Sequence, residues 1–250
     1  MKKIVLFALL GASFQFIAQK AEAQSARDIL NSLRRGTTTT NNNNNSGNLS
    51  NATVISGLKE ALRIGANNAA GQLSATDGFF RNAAVKILMP PEVQQVESTL
   101  RSVGLGSVVD KAILSMNRAA EDASKQAAPI FVNAITSMSL QDGFSILSGG
   151  NSAATNYLRG KTTASLTTAF RPVIDKSLAK VGAVSLWKTV FTTYNRLPLV
   201  AKKVNPDLSG YVVGKALEGM FYSIAQQEMK IRTDPASQIT DLLRQVFGKK

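Results

Sequence analysis

The sequence predicts an all-α protein, a single bundle of about eight to ten helices. Apolar residues recur every three or four positions from Val54 onward, which is the period of a helix with one buried face. Aromatic residues make up only 6% of the chain and proline occurs only seven times, which also favours helices. Residues 84–88 alone have strand character, and so short a segment cannot form a sheet by itself.

Residues 1–23 have the composition of a secretory signal peptide. Lys2 and Lys3 precede an apolar run over residues 4–18, and Ala21-Glu22-Ala23 supplies the small side chains of a cleavage site. The run is shorter than the roughly 20 residues that span a bilayer. We therefore expect an exported protein, periplasmic or associated with the envelope, that is cut after about Ala23.

Residues 24–53 are expected to join this signal to the folded domain. Residues 25–35 carry Ile29 and Leu33 on one face, which predicts a short helix. The following Thr/Asn-rich stretch, residues 36–53, has no charge and no apolar period, so we expect a disordered linker. The chain has no cysteine, so the domain over residues 54–250 must be stabilised by its core rather than by disulfides.

Prolines, glycines and capping residues divide the domain into helices. Pro91 predicts a helix that stops at Gly104, because proline fits the first turn of a helix and glycine fits its C-terminal cap. The sequence Asn205-Pro206-Asp207 predicts another helix start. The expected helices and breaks are, in order, 54–73, 91–103, 107–126, a start at Pro129, breaks at Gly149 and Gly160, 207–232 and 235–247.

The chain contains neither histidine nor cysteine. Their absence excludes histidine general bases, cysteine nucleophiles and nearly all zinc, copper and haem sites. We therefore expect no catalytic residue, no metal and no cofactor. A hydrolase that acts through carboxylates alone stays open as a hypothesis, and it would need two acids roughly 5–10 Å apart in a cleft.

The pattern Ser-x-x-Asp-Gly-Phe occurs twice, 65 residues apart. A calcium loop would need further oxygen ligands at alternate positions, and neither copy has them. Ser-x-x-Asp instead matches a capping box, in which the serine and the acid each bind the other's backbone amide at a helix start. We therefore predict that Ser74 with Asp77, and Ser139 with Asp142, begin two helices. The spacing also allows a worn two-fold repeat of one helical unit.

The string MNRAAEDA, residues 116–123, combines polar side chains with a dense alanine face. Asn117 and Glu121 are neighbours one turn apart, with Arg118 beside them. One interpretation is a polar network between helices, and the other is a cleft that binds a small ligand. In the second case, further lining residues would come from Tyr194, Glu228 or Arg232.

The strongest positional signal is the charge of residues 143–206. This block contains nine lysines and arginines but a single acid, Asp175. If the fold gathers these cations on one face, they attract anionic partners over about a Debye length. The expected partners are anionic lipid, lipopolysaccharide or acidic polymers, and not nucleic acid. The candidate binding residues are Lys188, Arg196, Lys202 and Lys203.

Three longer strings resemble a known family. They are MNRAAEDASKQAAPIFVNAI, KVNPDLSGYVVGKALEGMFYSIAQQEMKIR and DPASQITDLLRQVFG. They are similar to a family of uncharacterised secreted bacterial proteins known only as a domain of unknown function. The resemblance implies an all-α envelope protein with a signal peptide, and it supplies no activity and no catalytic residue. The favoured hypothesis is therefore a non-enzymatic envelope protein.

Overall fold

The computed structural model describes residues 50–196 and 203–234. Within these ranges the chain forms eight α-helices and no strand, so the predicted all-α bundle is confirmed. A 3-10 turn, Pro91–Val93, precedes the second helix. The helices are α1 Asn51–Ser74, α2 Gln94–Ser102, α3 Gly106–Ser124, α4 Ala127–Thr136, α5 Leu140–Ser148, α6 Ala153–Ala179, α7 Ala183–Tyr194 and α8 Leu208–Thr233.

Most of the predicted helix ends are confirmed by their caps. Gly104 follows α2 with a φ of 82°, the left-handed conformation that glycine adopts at a C-terminal cap. Asp207 accepts a hydrogen bond from the Gly210 amide and caps α8. The first helix begins at Asn51, earlier than predicted, because the Ser50 side chain accepts from the Thr53 amide. The last residues of the predicted linker are therefore helical.

The predicted break at Gly160 is wrong, because Gly160 lies inside α6. Its neighbours Leu158 and Thr162 are buried on the face that packs into the core. That packing continues the helix across the glycine, which tertiary contacts commonly do against local propensity. The buried residues of α6 lie four positions apart for most of its length: Leu158, Thr162, Leu166, Phe170, Ile174 and Leu178.

The longest helix, α6, occupies the centre of the bundle. It packs against α3, α4, α5, α7 and α8, and α1 covers α8 from another side. Fully buried phenylalanines fill the space between helices, and the rings of Phe131 and Phe221 meet edge to face at 6.0 Å. Trp187 and Phe191 of α7 belong to the same core, with ring centroids 4.4 Å apart. Such aromatic pairs add to the stability gained by burying their area.

Several predictions concern residues outside the described ranges. These are the signal peptide, the short helix over 25–35, nearly all of the linker, the helix over 235–247, Lys202 and the side chain of Tyr194. Among the helices of residues 50–196 and 203–234, none combines the length and apolar composition needed to cross a membrane.

Candidate functional site

The first Ser-x-x-Asp-Gly-Phe copy does not start a helix, so the predicted cap is wrong there. Ser74 is the last residue of α1, and its hydroxyl donates to the Gly71 carbonyl at 3.2 Å. Asp77 has a φ of 68°, a left-handed conformation that cannot continue a helix. Its carboxylate instead binds Arg118 at 2.7 Å and Arg81 at 3.0 Å.

The second copy forms the predicted capping box. The Ser139 hydroxyl accepts from the Asp142 amide at 3.1 Å, and the Asp142 carboxylate accepts from the Ser139 amide at 3.0 Å. The hydroxyl and amide of Ser139 hold the pKa of Asp142 below its usual value. One pattern therefore ends a helix at Ser74 and begins one at Ser139, so it does not mark a repeated structural unit.

This difference predicts unequal effects of two identical substitutions. Ser139→Ala removes a helix cap and should lower the free energy of unfolding by about 1 kcal/mol. Ser74→Ala removes a hydroxyl that bonds its own helix and should change it by less than about 0.5 kcal/mol. Urea unfolding of both variants measures the difference, and equal losses would contradict the assignment of the two serines.

Glu121, rather than Asp77, is the carboxylate that accepts hydrogen bonds from backbone amides in this turn. It lies on α3 with 4% of its surface exposed. One carboxylate oxygen accepts from the amides of Phe79 and Phe80, both at 3.1 Å. The other accepts from Arg118 at 2.6 Å. Glu121 therefore holds the turn after α1 against α3 through two charge-assisted backbone hydrogen bonds.

Asn117, one turn before Glu121, binds the next part of the same connection. Its side-chain oxygen accepts from the Ile87 amide at 2.9 Å, and its nitrogen donates to the Ile87 carbonyl at 2.8 Å. A residue whose amide and carbonyl point to the same side is extended, as in a strand. Ile87, within residues 84–88, is thus extended, and its hydrogen-bond partner is a side chain rather than a neighbouring strand.

The predicted cleft around Asn117, Arg118 and Glu121 is therefore wrong. The polar atoms of Asn117 and Glu121 are occupied by the connection 77–88 and by Arg118. Of the two interpretations of MNRAAEDA, the polar network is the correct one. Sequence reasoning could not distinguish them, because the residues that complete the network lie in a different part of the chain.

The proposed lining residues Glu228 and Arg232 form a second buried network of the same kind. Glu228 on α8 accepts from the amides of Ala154 and Thr155 at 3.1 and 2.9 Å. It also accepts from the Thr155 hydroxyl at 2.7 Å and from Arg232 at 2.9 Å. Glu228 thereby satisfies the first amides of α6, which has no side-chain cap of its own.

A groove of about 510 Å³ lies between the end of the connection 77–88 and α8, and nothing in the sequence patterns predicted it. Leu88 and Met89 line one wall, and Tyr211, Lys215 and Tyr222 of α8 line the other. The Tyr211 hydroxyl donates to the Leu88 carbonyl at 2.8 Å. Burial, together with the negative charges of Glu218 and Glu92, raises the pKa of Tyr211 to about 12. Tyr211 therefore stays protonated and serves as a structural donor.

Three of the nine cations of residues 143–206 make local contacts. Along α6, the Arg159 guanidinium lies over the Phe221 ring at 4.5 Å, whereas Lys161 approaches Tyr157 at 5.7 Å. Arg171 is bound by Asp207 through two hydrogen bonds of 2.8 and 2.9 Å. These three cations thus belong to local contacts, and the single basic face stays a prediction.

A smaller group of cations lies on α7 and on the connection that follows it, and we call Lys188, Arg196 and Lys203 the α7 patch. All three are exposed, and none has a carboxylate partner among the described residues. The Asn195 side chain binds both the amide and the carbonyl of Val204, at 2.9 and 2.7 Å. This contact brings the neighbouring Arg196 and Lys203 to the same edge. Trp187 joins the other end of α7 to this connection through the Asn205 carbonyl at 3.1 Å.

A comparison with protein families identifies the family of this chain. The profile of the family of proteins of unknown function DUF4197 matches residues 48–248. The chain belongs to this family. The match spans all the described helices of this DUF4197 protein and confirms the resemblance of its three strings. Neither a curated protein nor a solved structure matches the chain. The family description names no activity, so the function has to be argued from the residues.

Proposed function

We propose that this DUF4197 protein is a non-enzymatic exported protein that binds an anionic surface through the α7 patch. The observation that carries the proposal is the patch itself: three exposed cations on adjoining elements, without carboxylate partners among the described residues. The whole chain has a formal net charge of +13, so the field around it favours anions of any kind.

The described carboxylates support a binding role rather than catalysis. Glu121 and Glu228 are buried, and their oxygens are occupied by backbone amides and arginines. Asp207 is bound by Arg171, and Glu218 beside the groove is paired with Lys215 at 2.6 Å. A general acid or nucleophile needs an oxygen that can reach a substrate, and the buried oxygens of Glu121 and Glu228 stabilise the fold instead.

Export determines which anions the patch can meet. The signal-peptide pattern of residues 1–23 supports delivery across the inner membrane, where anionic lipid headgroups, lipopolysaccharide phosphates and acidic polymers are the abundant anions. These surfaces share clustered phosphate or carboxylate groups. The mass of the exported protein tests the route, because cleavage after about Ala23 leaves Gln24 as its first residue.

A charge-neutralising triple variant tests the patch. Lys188→Gln, Arg196→Gln and Lys203→Gln together should weaken binding to phosphatidylglycerol vesicles about 100-fold at low salt. This estimate uses about 1 kcal/mol for each cation near an anionic surface. Vesicle sedimentation measures the affinity. Added salt should also lower the affinity of the wild-type protein for these vesicles.

A matched control removes the same charge from other surfaces. Arg63→Gln, Lys215→Gln and Lys230→Gln change the net charge equally, but on α1 and α8. We expect this control to keep most of the affinity, because it leaves the α7 patch intact. Equal losses in the two triple variants would show that only net charge matters, and the proposal of a patch would then be abandoned.

A further inference from the structure

The turn that joins α6 to α7 exposes an apolar side chain. We call residues 176–184, KSLAKVGAV, the basic turn. Val181 lies between the two helices with 63% of its surface exposed, although valine is usually buried. Gly182 follows with a φ of 67°, a left-handed conformation that ends the helical path of α6. Val181 is therefore presented to solvent at the end of α6 and is not packed into the core.

The backbone around Val181 makes its own hydrogen bonds. The Val181 amide donates to the Leu178 carbonyl at 3.3 Å, and the Gly182 amide donates to the Ala179 carbonyl at 3.0 Å. A polar group that already has a partner costs less to remove from water than a free one. The backbone of the turn is therefore suited to a partly apolar environment.

The basic turn belongs to an end of the bundle that carries a positive charge. Hydrogen bonds from Ser177 to Asp122, from Arg171 to Asp207 and from Trp187 to Asn205 join segments 122–125, 171–196 and 203–207. These segments contain three acids and seven cations, so their net charge is +4. The cations are Lys125, Arg171, Lys176, Lys180, Lys188, Arg196 and Lys203.

The three acids of these segments are already paired with cations. Arg171 binds Asp207 at 2.8 Å and Asp175 at 3.5 Å, and Lys125 binds Asp122 at 2.9 Å. Residues 176–206 contain no acid at all. Three exposed lysines in and beside the basic turn are therefore left without a carboxylate partner among the described residues, namely Lys176, Lys180 and Lys188.

The helix dipoles at the basic turn offset each other. The turn joins the C-terminus of α6, which is a negative end, to the N-terminus of α7, which is a positive end. The first turn of α7 has no acidic residue. The lysines therefore determine the sign of the field around Val181, and the complementary partner is an anion.

Val103 at the end of α2 provides a comparison within the same chain. Its side chain is 64% exposed, nearly the same as that of Val181. The charges beside it cancel, because Arg101 binds both Glu97 and Asp110, and Lys111 supplies the second cation. The two valines therefore differ in the charge around them and not in their exposure.

We infer that the basic turn inserts into the headgroup region of a phospholipid layer that contains anionic lipid, with Val181 as its apolar contact. The inference rests on the proposed function and names lipid as the anionic surface. An acidic polymer would need the cations alone, whereas an exposed valine among unpaired lysines also fits the apolar boundary beneath lipid headgroups. Lysine stems lie along such a boundary while their ammonium groups reach the phosphates.

Fluorescent labelling tests the insertion directly, because the chain has no cysteine and one introduced thiol is therefore unique. An environment-sensitive dye is attached to the full chain at Val181→Cys, or at Val103→Cys as the matched control. With phosphatidylglycerol vesicles, the dye at position 181 should shift to the blue and be quenched by brominated lipid, whereas the dye at 103 should do neither. With neutral phosphatidylcholine vesicles neither dye should shift.

A second pair of variants measures the contribution of the valine to affinity. Val181→Ser should weaken binding to phosphatidylglycerol vesicles about fivefold, since shallow insertion recovers part of the transfer free energy of a valine. Val103→Ser should bind like the wild-type protein. Both positions are exposed, so an unchanged melting temperature confirms that each variant is folded.

The outcomes separate the basic turn from the α7 patch. If the wild-type protein binds phosphatidylglycerol vesicles but the dye at 181 stays in water, or Val181→Ser binds as tightly as wild type, the insertion is wrong and the proposed function stands. Equal shifts of the two dyes would also overturn the insertion, because charge would then not select the site. Binding to dextran sulfate without binding to vesicles leaves the proposed function and overturns the insertion. Failure to bind either anion overturns both proposals.

Discussion

Replacing Glu121 with alanine is expected to lower the free energy of unfolding by about 3–5 kcal/mol. The substitution leaves the amides of Phe79 and Phe80 without acceptors in a buried turn, and it removes a partner of Arg118. Leaving two buried or half-buried amides without an acceptor costs about 1–3 kcal/mol each, whereas Arg118 keeps its second partner, Asp77. Urea unfolding followed by circular dichroism measures the loss.

Glu218→Ala is the matched control for this prediction. Glu218 also pairs with a cation, Lys215 at 2.6 Å, but its side chain is 63% exposed. An exposed pair contributes at most about 1 kcal/mol, so the control should remain close to wild type. A loss at Glu121 as small as that at Glu218 would mean that water readily replaces the carboxylate in the turn.

Replacing Gly78 with alanine is the second prediction with a large expected effect. A Cβ atom at position 78 would overlap the carbonyl oxygen of Gln72, and it would lie 2.9 Å from that of Leu73. These are backbone atoms at the end of α1, so they cannot rotate away as a side chain can. We expect a loss of about 3 kcal/mol or more in the free energy of unfolding.

Gly160→Ala is the control, since a methyl group there would meet no atom within 4 Å. Gly160 lies inside α6, where alanine is the better helix former, so this variant should gain about 0.5–1 kcal/mol. Opposite signs for the two glycine-to-alanine changes are the expected result of chemical unfolding. A stability at Gly78→Ala equal to wild type would require a different course of the chain after α1.

The two Ser-x-x-Asp-Gly-Phe copies show which structural features can be predicted from a sequence. Helix periods and caps act over a few residues, so the helix that starts after Ser139 and the stop at Gly104 could be predicted. The conformation at Asp77 could not, because it depends on Arg118, which is 41 residues away. Identical local patterns then diverge, since a capping box competes with an ion pair that only the folded chain supplies.

The candidate site likewise has one part that is visible in the sequence and another that depends on the folded chain. Charge segregation is visible in the sequence, and it predicts Lys188, Arg196 and Lys203 as the binding residues that the proposed function uses. The contact of Asn195 with Val204, which brings two of those cations to one edge, depends on chain geometry that no spacing rule reveals. The exposed apolar residues Val103, Leu105 and Val108 have the opposite difficulty, because their pattern could equally belong to a buried helix end.

Two asparagines, Asn117 and Asn195, perform for this bundle a task that neighbouring strands perform in a sheet. Each binds the amide and the carbonyl of one residue in a connection between helices, Ile87 in one case and Val204 in the other. These hydrogen bonds recognise the main chain and not the side chain, so at the level of hydrogen bonding any residue except proline satisfies them. The backbone at Ile87 and at Val204 is thereby held from the helix side, whichever side chains these connections carry.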